Sequence, residues 1–195
     1  MKTLVVVAHP NLEKSRVNKR WIQELEKHEE ITISNLNEKY PDEKINKDEE
    51  QKLLLEHDRI VFQYPWYWYN MPPLMRKWQD TVLEYGWAFG PGGTALHGKD
   101  YVVAITIGGP EASYQAGGYN TFTISEFLKP MQQTANLTGM KFLPSYKIHS
   151  AVIISDQDLE VSAKQYIEHI LNSELDPQVE LKSILKEMKE IGNEL

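Results

Sequence analysis

Three short stretches carry the side chains with chemical use. The first, residues 9–18, follows a β-branched apolar run and leads into a helical pattern. Ser15 and Asn18 there offer side-chain donors beside the free amides and positive dipole end of a helix, a combination able to hold a phosphate. A helix-capping Ser15 and a satisfied strand-end His9 would account for the same residues. The second stretch, 64–73, packs Tyr64, Trp66, Tyr67, Trp68 and Tyr69 together before Asn70, Pro72 and Pro73. Such density suits a planar tricyclic ring, gripped by aromatic faces and edges while backbone amides reach its polar rim. A buried subunit interface is the alternative use. In the third stretch, Gly108 and Gly109 let the backbone come close to a ligand, and Tyr114 and Asn120 supply hydrogen-bonding groups. Taken alone, the two glycines also fit a simple turn.

What is missing narrows the chemistry. The chain has no cysteine, which removes thiol nucleophiles, disulfide scaffolds, cysteine-ligated zinc and iron–sulfur clusters, and fits a reducing, cytoplasmic setting. The six histidines are scattered without metal-ligand spacing, so no metal site is expected. No G-x-S-x-G is present, nor a Walker loop, nor a G-x-G-x-x-G after the first strand, so hydrolase, P-loop and classical nicotinamide-dinucleotide domains are disfavoured. A net charge of −7 with dispersed lysines and arginines argues against nucleic acid as a partner. The opening apolar run is too short for a signal peptide or a membrane span.

The elements that must position these stretches alternate. Strands are predicted over 2–9, 30–36, 58–64, 99–108 and 141–150, the last continued by 152–154. Helices are predicted over 15–28, 48–57, 72–85, 123–138 and 158–175, with a solvated loop at 37–47. Residues 177–195 bear apolar side chains near helical spacing and read as an additional C-terminal helix. Alternating strands and helices imply right-handed crossovers and a parallel sheet covered on both faces, an α/β three-layer sandwich in a single domain. Ligands bind such sheets beyond the carboxyl ends of the strands, which is where all three stretches fall.

At these residues the sequence resembles the flavodoxin-like NAD(P)H:quinone oxidoreductase family. It is most like bacterial members such as the ancillary oxidoreductases of glutathione-gated potassium efflux systems and the modulator-of-drug-activity type. The resemblance rests on A-H-P with Asn18 further on, Q-Y-P-W-Y-W-Y-N-M-P-P-L-M-R-K-W at 63–78, and T-I-G-G-P-E-A-S-Y at 106–114. It implies a five-stranded parallel sheet of order 2-1-3-4-5, with a flavin-binding domain over 1–175 and a helical extension over 176–195. It further implies FMN or FAD, with a slight lean to FMN, NAD(P)H as co-substrate, a quinone-like acceptor, a homodimer and a potassium efflux transporter as a partner. By position, His9, Ser15, Val17 and Asn18 would line the phosphate and ribityl part, and Pro65, Trp66, Trp68 and Tyr69 the isoalloxazine. Thr106, Gly108, Gly109 and Tyr114 would meet its polar edge. Tyr114 and Asn120 are the candidate catalytic residues. Mammalian quinone reductases place a histidine in the loop where this chain has Asn120, so a proton relay is not carried over. The G-W-A-F-G segment at 86–90 looks able to help build a substrate pocket. Two rival uses of the same domain are a one-electron carrier and a regulatory subunit of a transporter.

Overall fold

The computed structural model describes residues 1–193. β1 (Thr3–Val7), β3 (Arg59–Pro65) and β4 (Asp100–Thr106) are buried along almost their whole length, as apolar strands covered on both faces must be. β2 (Ile31–Asn35) is only partly buried and lies at one edge. The fifth strand is interrupted. β5 (Lys141–Phe142) and β6 (Tyr146–Ile148) pair with successive parts of β4, and Pro144 stands between them, where its ring and missing amide break the ladder. Residues 152–154, expected to extend this strand, form turn and coil instead. All pairings are parallel, and the order is β2-β1-β3-β4-β5 with β6 also on β4.

Alternation along β1 sends Val5 and Val7 to one face and Leu4 and Val6 to the other. The first face is covered by α1 (Arg16–Leu25) and α7 (Asp156–Leu171), through Trp21, Leu25, Ala163 and Ile167. The second is covered by α3 (Lys47–Glu56), α4 (Pro73–Val82) and α6 (Lys129–Thr138), through Leu54, Met75, Trp78 and Met131. A short α2 (Leu36–Lys39) occupies part of the stretch expected as loop, because Leu36 is apolar and finds the core. The single helix expected over 123–138 is two. α5 (Ile124–Phe127) is closed by a reciprocal Thr123–Glu126 capping box, and Pro130, which has no amide to donate, sits in the first turn of α6. α8 (Pro177–Asn193) is the C-terminal helix; the last two residues of its expected span lie outside the described residues. Among the described residues no helix is long and apolar enough to cross a membrane.

Arg59 locks α7 to the sheet. Its side chain is 1% exposed, donates to Asp100 Oδ2 at 2.8 Å through Nη2, and donates through Nη1 to the carbonyls of Ile170 and Asn172 at 2.6 and 2.9 Å. The cation thus satisfies carbonyls at the helix C-terminus that have no partner within the helix. Replacing it leaves a carboxylate and two carbonyls without their donor. Arg59→Ala is expected to lower stability by about 3 kcal/mol in urea unfolding; a loss below about 1 kcal/mol would show that the pair is only a surface contact.

Candidate functional site

The parallel register brings the ends of β1, β3 and β4 side by side, with Val7 opposite Gln63 and Pro65 opposite Thr106. The three loops leave from there. After β1, His9 is nearly buried; its amide donates to Asn37 Oδ1 at 2.9 Å and its Nδ1 accepts from the Asn11 amide at 3.0 Å. An accepting Nδ1 leaves the proton of the neutral ring on Nε2. Burial holds this imidazole below its ordinary pKa, against the opposing effect of its backbone hydrogen bond.

Ser15 is the N-cap of α1, its Oγ accepting from the Asn18 amide at 3.2 Å. The amides of Arg16 and Val17, in the first helical turn, have no intrahelical carbonyl to reach. Asn18 does not present its side chain freely. Its Nδ2 donates to Thr106 Oγ1 at 2.9 Å, and its carbonyl and Oδ1 accept from Gln63 Nε2 at 3.4 and 3.3 Å. Arg16 donates to the Ile154 carbonyl at 3.0 Å and to Asp156 Oδ1 at 2.7 Å, which ties the start of α7 to this loop.

The aromatic stretch is a tight turn. Tyr67 and Asn70 exchange both backbone hydrogen bonds, and the central residues Trp68 and Tyr69 have φ of 48° and 62°. Positive φ at both positions is the type I′ pattern, which ordinarily selects asparagine and glycine. Bulky residues there cost about 1–3 kcal/mol each, and the outcome is that Trp68 stands 92% exposed. Tyr69 is fixed from two sides: its ring stacks on Phe127 at 5.1 Å, and its hydroxyl donates to Asn120 Oδ1 at 3.0 Å.

Gly109 permits the close approach of the third loop, since a Cβ there would stand 3.2 Å from both Tyr114 Cε2 and the Tyr119 hydroxyl. The Tyr114 hydroxyl is held above the usual tyrosine pKa, by burial first and by Tyr69 and Tyr119 next. It stays a donor through the neutral range.

Two adjoining cavities of about 480 and 230 Å³ open here, sharing Trp66 and Gly108 in their walls. His9, Ser15, Val17, Asn18, Pro65 and Thr106 line the larger, and Trp68, Tyr69, Gly109 and Tyr114 line the smaller. Asn120 lines neither; it stands behind Tyr69 and donates through Nδ2 to Ser113 Oγ at 3.1 Å. The 86–90 segment lines neither cavity, and Trp87 and Phe89 are partly buried against the core. The larger cavity also includes Tyr67 of the aromatic stretch, and Lys14, Arg16, Ala151 and Val152, which the sequence did not single out. Val152 and Ile153 stand exposed outside any strand, two apolar side chains that ask for a partner. Nothing in the sequence marked Phe127.

The fit to a phosphorylated flat ring can be tested on the trough itself. One end holds free helix amides and the other aromatic walls, while the indole Nε1 of Trp66 is buried without a partner among the described residues, a donor awaiting an acceptor. The residues fit such a group. A phosphate cradle at the strand β1 end and an aromatic slot at the β3 and β4 ends, on a 2-1-3-4-5 sheet, define a flavodoxin-type site.

The chain belongs to the family described as flavodoxin-like fold, whose model matches residues 1–170. It is 52% identical over 191 residues to an NAD(P)H oxidoreductase of Bacillus subtilis, covering 98% of this chain and 97% of the relative. A glutathione-regulated potassium-efflux system ancillary protein of Salmonella is 39% identical over 168 residues, 86% of this chain and 94% of that one. Among solved structures, general stress protein 14 of Treponema denticola, in complex with FMN, superposes with a TM-score of 0.83 at 38% identity over 86% of this chain and 97% of its own. An NADPH-quinone reductase of P. pentosaceus gives 0.82 at 32% identity, over 88% and 99%. Within the flavodoxin-like family the chain is therefore placed with the NAD(P)H oxidoreductases.

The strained turn yields a test. Trp68→Gly removes the backbone strain and, at 92% exposure, little packing, so it is expected to raise stability by about 0.5–1 kcal/mol. The same change should weaken flavin binding in equilibrium titration. A drop in stability would show that the Trp68 ring is structural.

Proposed function

We propose that the protein is an FMN-dependent NAD(P)H dehydrogenase that passes a hydride from NAD(P)H to quinone-like acceptors in a two-step exchange at one site. The observation that carries the reading is the convergence of helix amides, aromatic slot and Tyr114 in a single trough. FMN is favoured over FAD by the single phosphate cradle and by the FMN bound to a structurally similar relative. When bound, the flavin would supply the two-electron acceptor and donor chemistry.

The residues do the rest by holding and screening. The amides at the start of α1 hold the phosphate, and His9, kept neutral, offers Nε2–H as a donor in the same cavity. Trp66, Trp68 and Tyr69 provide flat apolar surfaces that orient aromatic partners and exclude water. Tyr114 keeps its proton and stabilises negative charge developing near its hydroxyl. Asn120 acts through Tyr69 as a positioning residue. Trp68, Tyr119, Phe122, Val152 and Ile153 are exposed apolar side chains on loops at this end of the sheet, and they support a homodimer whose partner helps close the site. Quinones as acceptors are supported by the NADPH-quinone reductase relative, and a role beside a potassium efflux transporter by the ancillary-protein relative.

The purified protein is expected to be yellow, to release FMN on heating as identified by mass spectrometry, and to be reduced by NAD(P)H and reoxidised by a quinone. A yellow protein indifferent to nicotinamides would instead be an electron carrier. Tyr114→Phe should slow single-turnover flavin reduction by about 10- to 100-fold with normal flavin content, the scale of one positioned donor. Because burial raises the Tyr114 pKa, this contribution should be flat through neutral pH and fade only as pH rises past the ordinary tyrosine range, about 10. Asn120→Ala should raise KM more than it lowers the reduction rate, since it frees Tyr69 without touching the reacting atoms. Full-speed reduction in Tyr114→Phe would assign that tyrosine to packing alone.

A further inference from the structure

β2 is an edge strand whose outer side opens into a groove. The register sets Thr3 opposite Ile31, and the Thr3 amide donates to the Glu30 carbonyl at 3.0 Å. In a parallel ladder this turns the main-chain groups of Glu30, Thr32 and Ser34 toward β1 and those of Ile31, Ile33 and Asn35 away from it. The Ile31 amide is taken by the His28 carbonyl at 3.1 Å. The Ile31 carbonyl, both main-chain groups of Ile33 and the Asn35 amide have no protein partner among the described residues. The groove beside them measures about 880 Å³ and is walled by Ile22 of α1 on one side and by Lys39 of α2 and Leu53 of α3 on the other. Ser34 lines it too, at 5% exposure, and its buried Oγ has no hydrogen-bond partner among the described residues. A hydroxyl left so asks for a group that this chain does not supply.

A row of unpaired amides and carbonyls at strand spacing is completed by another extended main chain. The charges of the groove select what that chain carries. Lys19 is already held by Glu13, and Lys39 by Glu49 and Glu50. Glu26 and Glu38, which also line the groove, pair with no lysine or arginine among the described residues. Glu26 follows the last turn of α1 on the way into β2, and Glu38 stands in α2 just past its exit, so one carboxylate marks each end of the strand. A second copy of this chain would set its own Glu26 and Glu38 against these in either strand direction, acid on acid. We propose that the β2 edge is a docking groove for an extended segment of another protein, apolar along its middle and basic at both ends, which adds to the sheet beside β2. The groove lies away from the ends of β1, β3 and β4, and the proposal does not rest on the flavin site.

The probe is a fluorescein-labelled peptide, Lys-Val-Thr-Val-Thr-Val-Lys, titrated with the full chain and followed by fluorescence anisotropy. It is expected to bind, and the same peptide N-methylated at two adjacent central residues, so that one lost donor faces β2 in any register, should bind at least about tenfold more weakly. Glu26→Gln with Glu38→Gln should weaken binding of the parent peptide about tenfold, the scale of two exposed ion pairs. Amide hydrogen exchange read by NMR reports the ladder directly: the Ile33 and Asn35 amides should slow several-fold on binding, while those of Thr32 and Ser34, already bonded to β1, should not change. Flavin content is followed in the double variant as an independent check that the body is intact. The proposal is overturned by no binding at millimolar peptide, by equal binding of the methylated peptide or of one with glutamate in place of both lysines, or by unchanged exchange at Ile33. It is overturned as well if light scattering shows the peptide converting a dimer to monomers, which would give this edge to a second copy.

Discussion

Asn18 ties the start of α1 to the ends of β3 and β4. Its side chain lies in the first turn of α1 at 1% exposure, bonded to Thr106 at the end of β4 and to Gln63 near the end of β3. A buried amide satisfied on both sides has little freedom to move, and its partners would be left unpaired if it did. The distance from the helix amides of the first loop to the aromatic turn of the second is thereby fixed, and so is the backbone path from Thr106 into Gly108 and Gly109. The residue is a tie between loops more than a donor to a phosphate. In the proposed reading an anion would be held by the main chain of residues 16 and 17, because the side chains of Arg16 and Asn18 are already engaged by Asp156 and Thr106.

The aromatic turn reverses the usual relation between local preference and structure. Its backbone asks for asparagine and glycine, whereas the sequence supplies Trp68 and Tyr69. The conformation persists because two cross-braces over-determine it: the paired hydrogen bonds of Tyr67 with Asn70, and the capture of Tyr69 between Phe127 and Asn120. Phe127 can reach Tyr69 because Pro130 separates α5 from α6. The same ring meets Trp66, Tyr114 and Phe122. A helix break that looks like a defect in the sequence pattern is thus the device that carries an aromatic side chain to the site.

The central strands β1, β3 and β4 were legible because they are nearly continuous apolar runs closed by proline or glycine, and that pattern has few other solutions. The three loops were legible for a different reason: their residue types conflict with a merely structural use, as five aromatics in six positions do. Less was visible where tertiary contacts decide. Pro144 hid the division of the last strand, since each half is too short to show a period. The split at Leu128 was obscured because apolar residues on both sides keep helical spacing. Ala151 and Val152 enter the trough only because the amides of Ser150 and Ala151 bond to Gly109 and Ile107, pairings no local pattern encodes. Asn120 read as a catalytic candidate from its neighbours in sequence, and the fold places it one contact behind.

The electrostatics of the site follow from burial rather than from charge. His9 and Tyr114 are both moved by desolvation, in opposite directions along the pH scale, and both therefore keep their neutral forms around pH 7. A neutral imidazole and a protonated phenol donate hydrogen bonds without adding or removing a charge. Positive potential is then concentrated at one end of the trough, where the α1 dipole and Lys14 stand. An anionic tail is drawn to that end while the ring end remains uncharged and aromatic, so a ligand with one phosphate and a flat ring has a single favourable orientation.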